Sequence, residues 1–215
     1  MSKNTITRLY TSASLLLLVF LTFKSTLFFI YALIVLGVLS LIEFLSITKK
    51  FIKRKTTFFL INVIFTLYIS FFFLNILIFY GDLQTKLIIF SLLLCCVSSD
   101  VGGFLFGKII KGPKLTKISP NKTIAGAIGS IFLSCLTLSL IFYLLTNSFQ
   151  IKIVLVAILT SLGCQIGDLF FSYLKRKAKI KDTGNFLPGH GGILDRLDGL
   201  ILGIPVGILT FIYIY

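Results

Sequence analysis

Long apolar runs separated by short basic loops make up almost the whole chain of 215 residues. A helix needs about 20 mainly apolar residues to cross a bilayer. Hydrophobic residues make up 57% of the chain and charged residues 13%, whereas soluble domains carry about 25% charged residues. We therefore predict an all-α, polytopic membrane bundle of about seven helices, within a range of roughly six to nine. The predicted spans are Leu9–Phe23, Thr26–Ile47, Thr57–Tyr80, Leu87–Gly107, Ile124–Leu145, Ile151–Phe171 and Ile193–Tyr215.

The first span is short, and Lys24 alone separates it from the second. These two segments therefore form either two spans, a re-entrant hairpin, or one span beside an interfacial helix. No small-residue cleavage site follows the first run, so we expect a retained helix rather than a removed signal peptide. We divide the chain into N-terminal membrane helices over residues 1–98 and a second membrane region over residues 99–215, within one integrated domain.

Lysine and arginine are distributed unevenly between alternate loops. Five lie in Lys49–Lys55, five in Lys108–Lys122 and five in Lys175–Lys181, whereas the intervening loops hold one each. Basic loops stay on the cytoplasmic side of a membrane. The net charge of +14 is thus explained by topology and anionic headgroups rather than by nucleic acid. We expect a multi-pass protein of the bacterial inner membrane.

Acidic residues are scarce, and more than half of them are concentrated near the end of the chain. Of seven Asp and Glu residues, Asp182, Asp195 and Asp198 lie between Ser172 and Gly199, and Asp168 lies just before. The same stretch holds six cations and the only histidine, His190. Carboxylates beside cations and flexible glycines are typical of a site for Mg²⁺ and phosphate oxygens. A solvated loop between two helices is the alternative.

Other segments add candidate residues at the same face. Asp100 precedes Gly102 and Gly103 inside an apolar span, which favours irregular backbone beside a polar cavity, with an interfacial position as the alternative. Ser119 or Thr123 is expected to cap the following helix, whose free N–H groups attract anions, and Lys122 adds a cation. If the last span is helical from its start, Asp195 and Asp198 share a face.

Glu43, near the end of the second span, has two explanations. It is either a functional acid inside the membrane or, as we expect, an interfacial residue that pairs with a nearby lysine.

The run Ser172–Asp198 resembles the signature of the phosphatidate cytidylyltransferases, also called CDP-diacylglycerol synthases. The matching positions, in chain order, are Ser172, Lys175-Arg176, Lys181-Asp182, Pro188-Gly189-His190-Gly191-Gly192 and Asp195-Arg196-Leu197-Asp198. Gly167-Asp168-Leu169, the loop from Ser119 to Thr123 and the segment from Asp100 to Gly107 resemble the family's other motifs in order. The resemblance begins near Ser99 and implies that residues 99–215 are the catalytic region. Before Ser99, the chain matches only in being hydrophobic.

The resemblance implies transfer of a cytidylyl group from CTP to phosphatidic acid, with pyrophosphate as the second product. It implies Mg²⁺ on Asp168 and Asp195, K⁺ as a second cation, and a homodimer. From it and from residue chemistry we predict a catalytic set of Asp168, Lys175, Arg176, His190, Asp195 and Arg196. The predicted substrate-binding set is Asp100, Ser119, Lys122, Thr123, Lys181, Asp182, Gly191, Gly192 and Asp198.

Two positions depart from the family pattern, which usually has Glu where this chain has Phe171 and often Glu where it has Ala125. These departures keep a catalytically degenerate scaffold or a small anion transporter open as non-enzymatic alternatives. A CTP-dependent polyprenol or phytol kinase is the enzymatic alternative. A CDP-alcohol phosphotransferase would need DGxxAR followed by GxxxDxxxD, which the sequence lacks.

Overall fold

The computed structural model describes residues 14, 17–78, 80–116, 118–184, 186 and 191–215. In these ranges the regular structure is helical. The helices are α1 (Thr26–Phe51), α2 (Lys55–Ile78), α3 (Leu83–Ile109), α4 (Ile124–Thr146), α5 (Ile151–Lys177), a single turn α6 (Leu194–Leu197) and α7 (Leu200–Ile214). Residues 9–13, 15 and 16 of the first predicted span, Leu9–Phe23, lie outside the described residues, and residues 17–24 are helical.

Six stretches of the described chain are long and apolar enough to cross a membrane, with α6 and α7 counted together as Leu194–Ile214. Their most apolar windows have mean hydropathies between 1.9 and 2.5. Large apolar side chains such as Leu27, Phe59 and Ile128 remain exposed on them, as expected for helices that face lipid rather than water. The predicted membrane bundle is confirmed, and the chain is an integral membrane protein.

The structure interrupts the last predicted span. Helix α6 ends at Leu197, Asp198 and Gly199 form a turn, and α7 begins at Leu200. No single helix runs through Asp195 and Asp198. The prediction that these two residues share one helical face is therefore wrong.

The chain divides into two compact units, with boundaries at Ile78, Leu174 and Asp198. The first unit contains the described residues up to Leu77 together with Leu174–Leu197. Within it, Phe44 of α1 stacks on Phe65 of α2 with ring centroids 3.6 Å apart. The hydroxyl of Thr48 also lies 3.2 Å from Oδ1 of Asn62. Helix α1 further contacts α6.

The second unit contains Ile78–Tyr173 and Asp198–Tyr215. Within it, α3 packs closely on α4, where small residues let the two backbones approach. A methyl group added to Gly102 would lie 2.4 Å from the carbonyl oxygen of Gly129. A methyl group added to Gly103 would lie 2.7 Å from Oγ of Ser130. Helix α3 also packs on α7, and Ser99 of α3 hydrogen bonds to Ser161 of α5 at 2.8 Å.

The irregular backbone predicted after Asp100 is absent, because α3 continues without a break to Ile109. The glycines that prompted that prediction serve the close α3–α4 contact instead.

Candidate functional site

A polar cavity of about 320 Å³ lies within the second unit. Its walls come from α3, α4, α5 and the loop before α4. It gathers five of the predicted site residues: Asp100, Ser119, Lys122, Thr123 and Asp168. Asn121 and Gln165, which were not predicted, line it as well. The cavity thus combines carboxylate, ammonium, hydroxyl and amide groups, which is the mixture of donors and acceptors expected around a bound phosphate and a metal ion.

The loop before α4 is held in shape by its own backbone. Leu115 N donates to Lys122 O at 2.8 Å, and Ile124 N donates to Pro113 O at 3.1 Å. Inside this closed loop, Lys122 N donates to Ser119 O at 3.0 Å. The serine, the lysine and the threonine at its end therefore reach the cavity from a fixed backbone.

Thr123 is the residue that caps α4. Its Oγ1 accepts the backbone N–H of Gly126 at 3.1 Å, which satisfies one of the free donors of the first turn. Of the two capping residues left open by the sequence, Thr123 is therefore the one the structure supports. Ser119 lies earlier in the loop, where its N–H donates to Thr116 Oγ1 at 3.3 Å.

Lys122 and Asp168 form an ion pair across the cavity. Lys122 Nζ lies 2.8 Å from Asp168 Oδ2, with side chains that are 30% and 23% exposed. Both groups are partly exposed, so solvent screens this ion pair and its contribution to stability is small. The pair places one strong donor and one carboxylate at the same point of the wall.

Gln165 was missed because it lies in an apolar run, two residues before the Gly167-Asp168-Leu169 motif and not part of it. Its Nε2 donates to Ala127 O at 3.2 Å and to Ser161 Oγ at 3.4 Å. These bonds hold the amide at the cavity wall, between α4 and α5.

A second polar cluster lies within the first unit and centres on Asp195. Its Oδ1 accepts Lys175 Nζ at 2.8 Å, in a pair whose lysine and aspartate side chains are 14% and 8% exposed. Its Oδ2 accepts the N–H of Thr183 at 2.7 Å and the N–H of Gly192 at 3.0 Å. The hydroxyl of Thr183 lies 3.0 Å from the same oxygen. Asp195 is thus held as a carboxylate on both oxygens.

Two glycines before Asp195 are required by this geometry. Gly191 has a φ of +85°, a conformation that residues with a side chain rarely adopt. A methyl group on Gly192 would lie 2.1 Å from Thr183 Oγ1 and 2.5 Å from Glu43 Oε2. The predicted importance of Gly191 and Gly192 therefore has a local cause in the fold.

Glu43 does not behave as predicted. It is only 1% exposed, and its carboxylate accepts hydrogen bonds from Thr183, Ile193 and Leu194. The prediction that Glu43 lies at the membrane interface and pairs with a lysine was wrong. The signal in the sequence was an acid inside an apolar span, and the alternative explanation, an acid with a role inside the membrane, fits the structure better. Thr183 was missed because it directly follows Lys181 and Asp182 but is not itself part of the signature.

The other predicted residues divide between the two units. In the first unit, four lie exposed on the surface: Arg176, Lys181, Asp182 and Arg196. In the second, Asp198 Oδ1 accepts the N–H of Gly199 at 3.0 Å. His190 lies outside the described residues, and its predicted role stays a prediction.

The residues fit Mg²⁺ to different degrees. Among the described residues, no group of three or more His, Cys, Asp and Glu side chains could hold a metal ion. Mg²⁺ usually takes one or two carboxylates together with water and substrate phosphates. Asp168 suits that role, since its carboxylate is part of the cavity wall. Asp195 suits it only through Oδ1, and only if Lys175 moves away, because Oδ2 is already held by the loop.

The two positions that depart from the expected pattern are apolar here. Phe171 is 2% exposed and packs edge to face on Phe170, with ring centroids 5.3 Å apart. Ala125 is half-buried in the first turn of α4.

Comparison with known proteins is consistent with this arrangement. The model of the cytidylyltransferase family matches residues 2–214. A phosphatidate cytidylyltransferase of Rickettsia typhi is 34% identical over 202 residues, which cover 90% of this chain and 84% of that protein. A phosphatidate cytidylyltransferase of Helicobacter pylori J99 is 41% identical over 124 residues, and one of Staphylococcus aureus COL is 44% identical over 110.

The last two alignments cover 58% and 50% of this chain, and only 46% and 42% of those two relatives. The match to the family model nevertheless extends over nearly the whole sequence, and the Rickettsia relative is matched over most of its length. The predicted resemblance is confirmed: this chain belongs to the cytidylyltransferase family.

Proposed function

We propose that the chain transfers the cytidylyl group of CTP to phosphatidic acid, forming CDP-diacylglycerol and pyrophosphate. The observation that carries this proposal is the polar cavity, where Lys122 and the capped start of α4 lie beside the Asp168 carboxylate. Cations and free N–H groups suit a phosphate chain, and the carboxylate suits the metal ion that accompanies it. The names of the relatives agree with this reaction.

The reaction needs alignment more than a strong base. The phosphate monoester of phosphatidic acid is already an anionic nucleophile. One of its oxygens would attack the α-phosphorus of CTP, and the bond from that phosphorus to the bridging β-phosphate oxygen would break. Pyrophosphate then leaves with the electron pair of that bond. Such transfers are catalysed mainly by positioning and charge neutralisation.

The residues have distinct roles in this proposal. Lys122, with the hydroxyls of Ser119 and Thr123, would bind phosphate oxygens of CTP. Lys175 and Arg176 would neutralise phosphate charge. Asp168 and Asp195 are the proposed Mg²⁺ ligands, and the ion would polarise phosphoryl oxygens and stabilise the departing pyrophosphate. A K⁺ requirement is part of the same proposal and is tested by replacing K⁺ with Na⁺ in the assay.

The surroundings of the reaction follow from the same reasoning. The acyl chains of phosphatidic acid would remain among the apolar spans while its headgroup meets CTP. We place the reaction at the cytoplasmic face of a bacterial inner membrane, because the loops that carry the site are the basic ones. A homodimer, implied by the family resemblance, belongs to the proposal as well.

The proposal is tested by following CDP-diacylglycerol formation with the purified protein in detergent. We expect product with Mg²⁺ and a loss of at least about 100-fold on chelation, in Asp168→Asn and in Asp195→Asn. Asp82→Asn is the matched control, because this exposed acid lies just before α3 and is part of neither the cavity lining nor the Asp195 cluster. Full activity of Asp168→Asn and Asp195→Asn would contradict the assigned roles.

A catalytically degenerate scaffold is the second candidate, and the buried Phe171 is the observation that favours it. An inactive but folded wild type together with an active Phe171→Glu variant would support this candidate. Product from the wild-type protein would rule it out.

A further inference from the structure

Glu43 is a buried carboxylate that the proposed reaction does not use. It lies on α1, in the N-terminal part of the chain, and is 1% exposed. Burying a carboxylate is costly unless its oxygens are fully hydrogen bonded. A buried acid at this position therefore indicates a role that an apolar residue could not perform.

Among the described residues, the hydrogen-bond partners of the Glu43 carboxylate all belong to the loop around Asp195. Oε1 accepts the N–H of Ile193 at 2.9 Å, and Oε2 accepts the N–H of Leu194 at 2.8 Å. Thr183 Oγ1 donates to Oε2 at 2.6 Å. These partners are 140 to 151 residues away along the chain. Helix α1 thus fixes a loop that is remote in sequence.

The same contacts reach Asp195 by two routes. Along the backbone, Ile193 and Leu194 directly precede Asp195, so fixing their N–H groups also fixes the position of the Asp195 Cα atom. Through the side chain of Thr183, the hydroxyl that donates to Glu43 also lies 3.0 Å from Asp195 Oδ2. The hydroxyl has a single hydrogen, so the two carboxylates share one donor and their positions depend on each other.

We infer that Glu43 is a positioning residue, whose buried carboxylate holds the loop over Thr183 and residues 192–194 so that Asp195 Oδ1 is presented together with Lys175. The role in catalysis rests on the proposed function, since Asp195 acts only within it. The structural part of the inference, that the order of the loop depends on Glu43, does not rest on the proposed function.

The first test compares Glu43→Gln with Ile47→Ala. Glutamine keeps the size of the side chain but replaces one acceptor oxygen with an amide that faces N–H and O–H donors. Ile47 lies one turn further along α1, is fully buried and has no hydrogen-bonding side chain, so its truncation perturbs the packing of the same helix without removing a hydrogen bond to the loop. Both proteins are assayed for CDP-diacylglycerol formation and for backbone hydrogen exchange over residues 191–197.

We expect Glu43→Gln to lower kcat about 10- to 100-fold, as the loss of a partner that orients a ligand does, with little change in the KM for CTP. Exchange of the loop amides should become about tenfold faster, the effect of losing one hydrogen bond of ordinary strength. Ile47→Ala should leave loop exchange unchanged, and any activity loss should match the fraction of unfolded protein.

A second pair of variants covers the case in which Glu43→Gln fails to fold. Thr183→Val removes the shared hydroxyl while keeping the shape of the side chain, and Thr183→Ser keeps the hydroxyl. Thr183→Val should lower kcat and loosen the loop, and Thr183→Ser should recover most of the kcat that Thr183→Val loses.

Two outcomes would overturn the inference. One is unchanged loop exchange and kcat in both Glu43→Gln and Thr183→Val. The other is an Ile47→Ala variant that loosens the loop as much as Glu43→Gln does. If the wild-type protein forms no CDP-diacylglycerol, the proposed function fails instead, and hydrogen exchange alone still decides whether Glu43 orders the loop.

Discussion

At the scale of single residues, the two carboxylates proposed for the metal share one feature. Each is neutralised by a lysine whose Nζ lies 2.8 Å away, Lys122 for Asp168 and Lys175 for Asp195. The proposed metal ion would have to compete with these lysines for the carboxylate oxygens. A metal ion that takes the carboxylates would release the lysines towards substrate phosphates, so that ion and nucleotide bind best together.

Lys122 can be tested through its effect on nucleotide binding. We expect Lys122→Met to raise the KM for CTP about tenfold or more, because a charge-assisted hydrogen bond to phosphate contributes roughly 1.5–3 kcal/mol. Lys122→Arg keeps the charge and should raise the KM for CTP less than Lys122→Met does. The measurement is a CTP titration at fixed phosphatidic acid. An unchanged KM in Lys122→Met would mean that the lysine holds Asp168 without contacting CTP.

The individual residues of the cavity were largely predictable, but their pairing was not. Asp168, Lys122 and Thr123 were identified because charged and capping residues are conspicuous in an apolar chain. The Lys122–Asp168 contact joins positions 46 residues apart, and it depends on how the helices pack. Glu43 was misjudged for the same reason, since its partners are 140 or more residues away and no local pattern connects them.

At the scale of helices, the close contact between α3 and α4 gives the cavity its walls. Gly103 and Gly126, which take part in this contact, also line the cavity with Asp100. The small residues therefore let α3 approach α4 closely enough to bring Asp100 to the loop that carries Lys122.

Gly102→Ala tests this contact. Its methyl group would lie 2.4 Å from a backbone oxygen of Gly129, so the helices must separate. We expect a loss of about 1–3 kcal/mol in stability, typical of overpacking, together with weaker CTP binding. Thermal unfolding in detergent and a CTP titration measure the two effects. Gly81→Ala is the control, because its nearest atom would be 3.9 Å away. Equal stability of both variants would contradict the tight contact.

Helix positions were predicted well from the apolar runs, whereas helix ends were not. The prediction ended the second span at Ile47, but α1 continues through Lys49 and Lys50 to Phe51. Likewise α5 extends past Phe171 to Lys177. Long basic side chains can remain helical where a span leaves the membrane, because their charged ends reach the aqueous interface. Hydropathy therefore marks the apolar core of a helix rather than its last residue.

At the scale of the whole molecule, the division of the chain at residue 98 stays a prediction, and so does its orientation in the membrane. The three loops that each carry five basic residues should face the cytoplasm. The connection between α4 and α5, residues 147–150, should face the opposite side. This orientation places the cavity loop with its Lys122 where CTP is available.

Orientation can be measured by cysteine labelling. In a variant without the four native cysteines, a membrane-impermeant maleimide applied to intact spheroplasts should label Ser148→Cys and leave Lys53→Cys unlabelled. Both positions are exposed in the structure. Lysis should make both reactive. Labelling of Lys53→Cys before lysis would reverse the proposed topology and remove the cavity from the cytoplasmic face.

The most direct test of the central claim asks which phosphorus of CTP enters the lipid. The purified protein is incubated with Mg²⁺ and CTP labelled at either the α- or the γ-phosphorus, and phosphatidic acid, a polyprenol or phytol is offered as the lipid acceptor. Cytidylyl transfer predicts that α-label appears in the lipid fraction and γ-label leaves as pyrophosphate. If γ-label enters a lipid alcohol such as a polyprenol or phytol while phosphatidic acid takes up no α-label, the protein is a kinase and our account of its function is wrong.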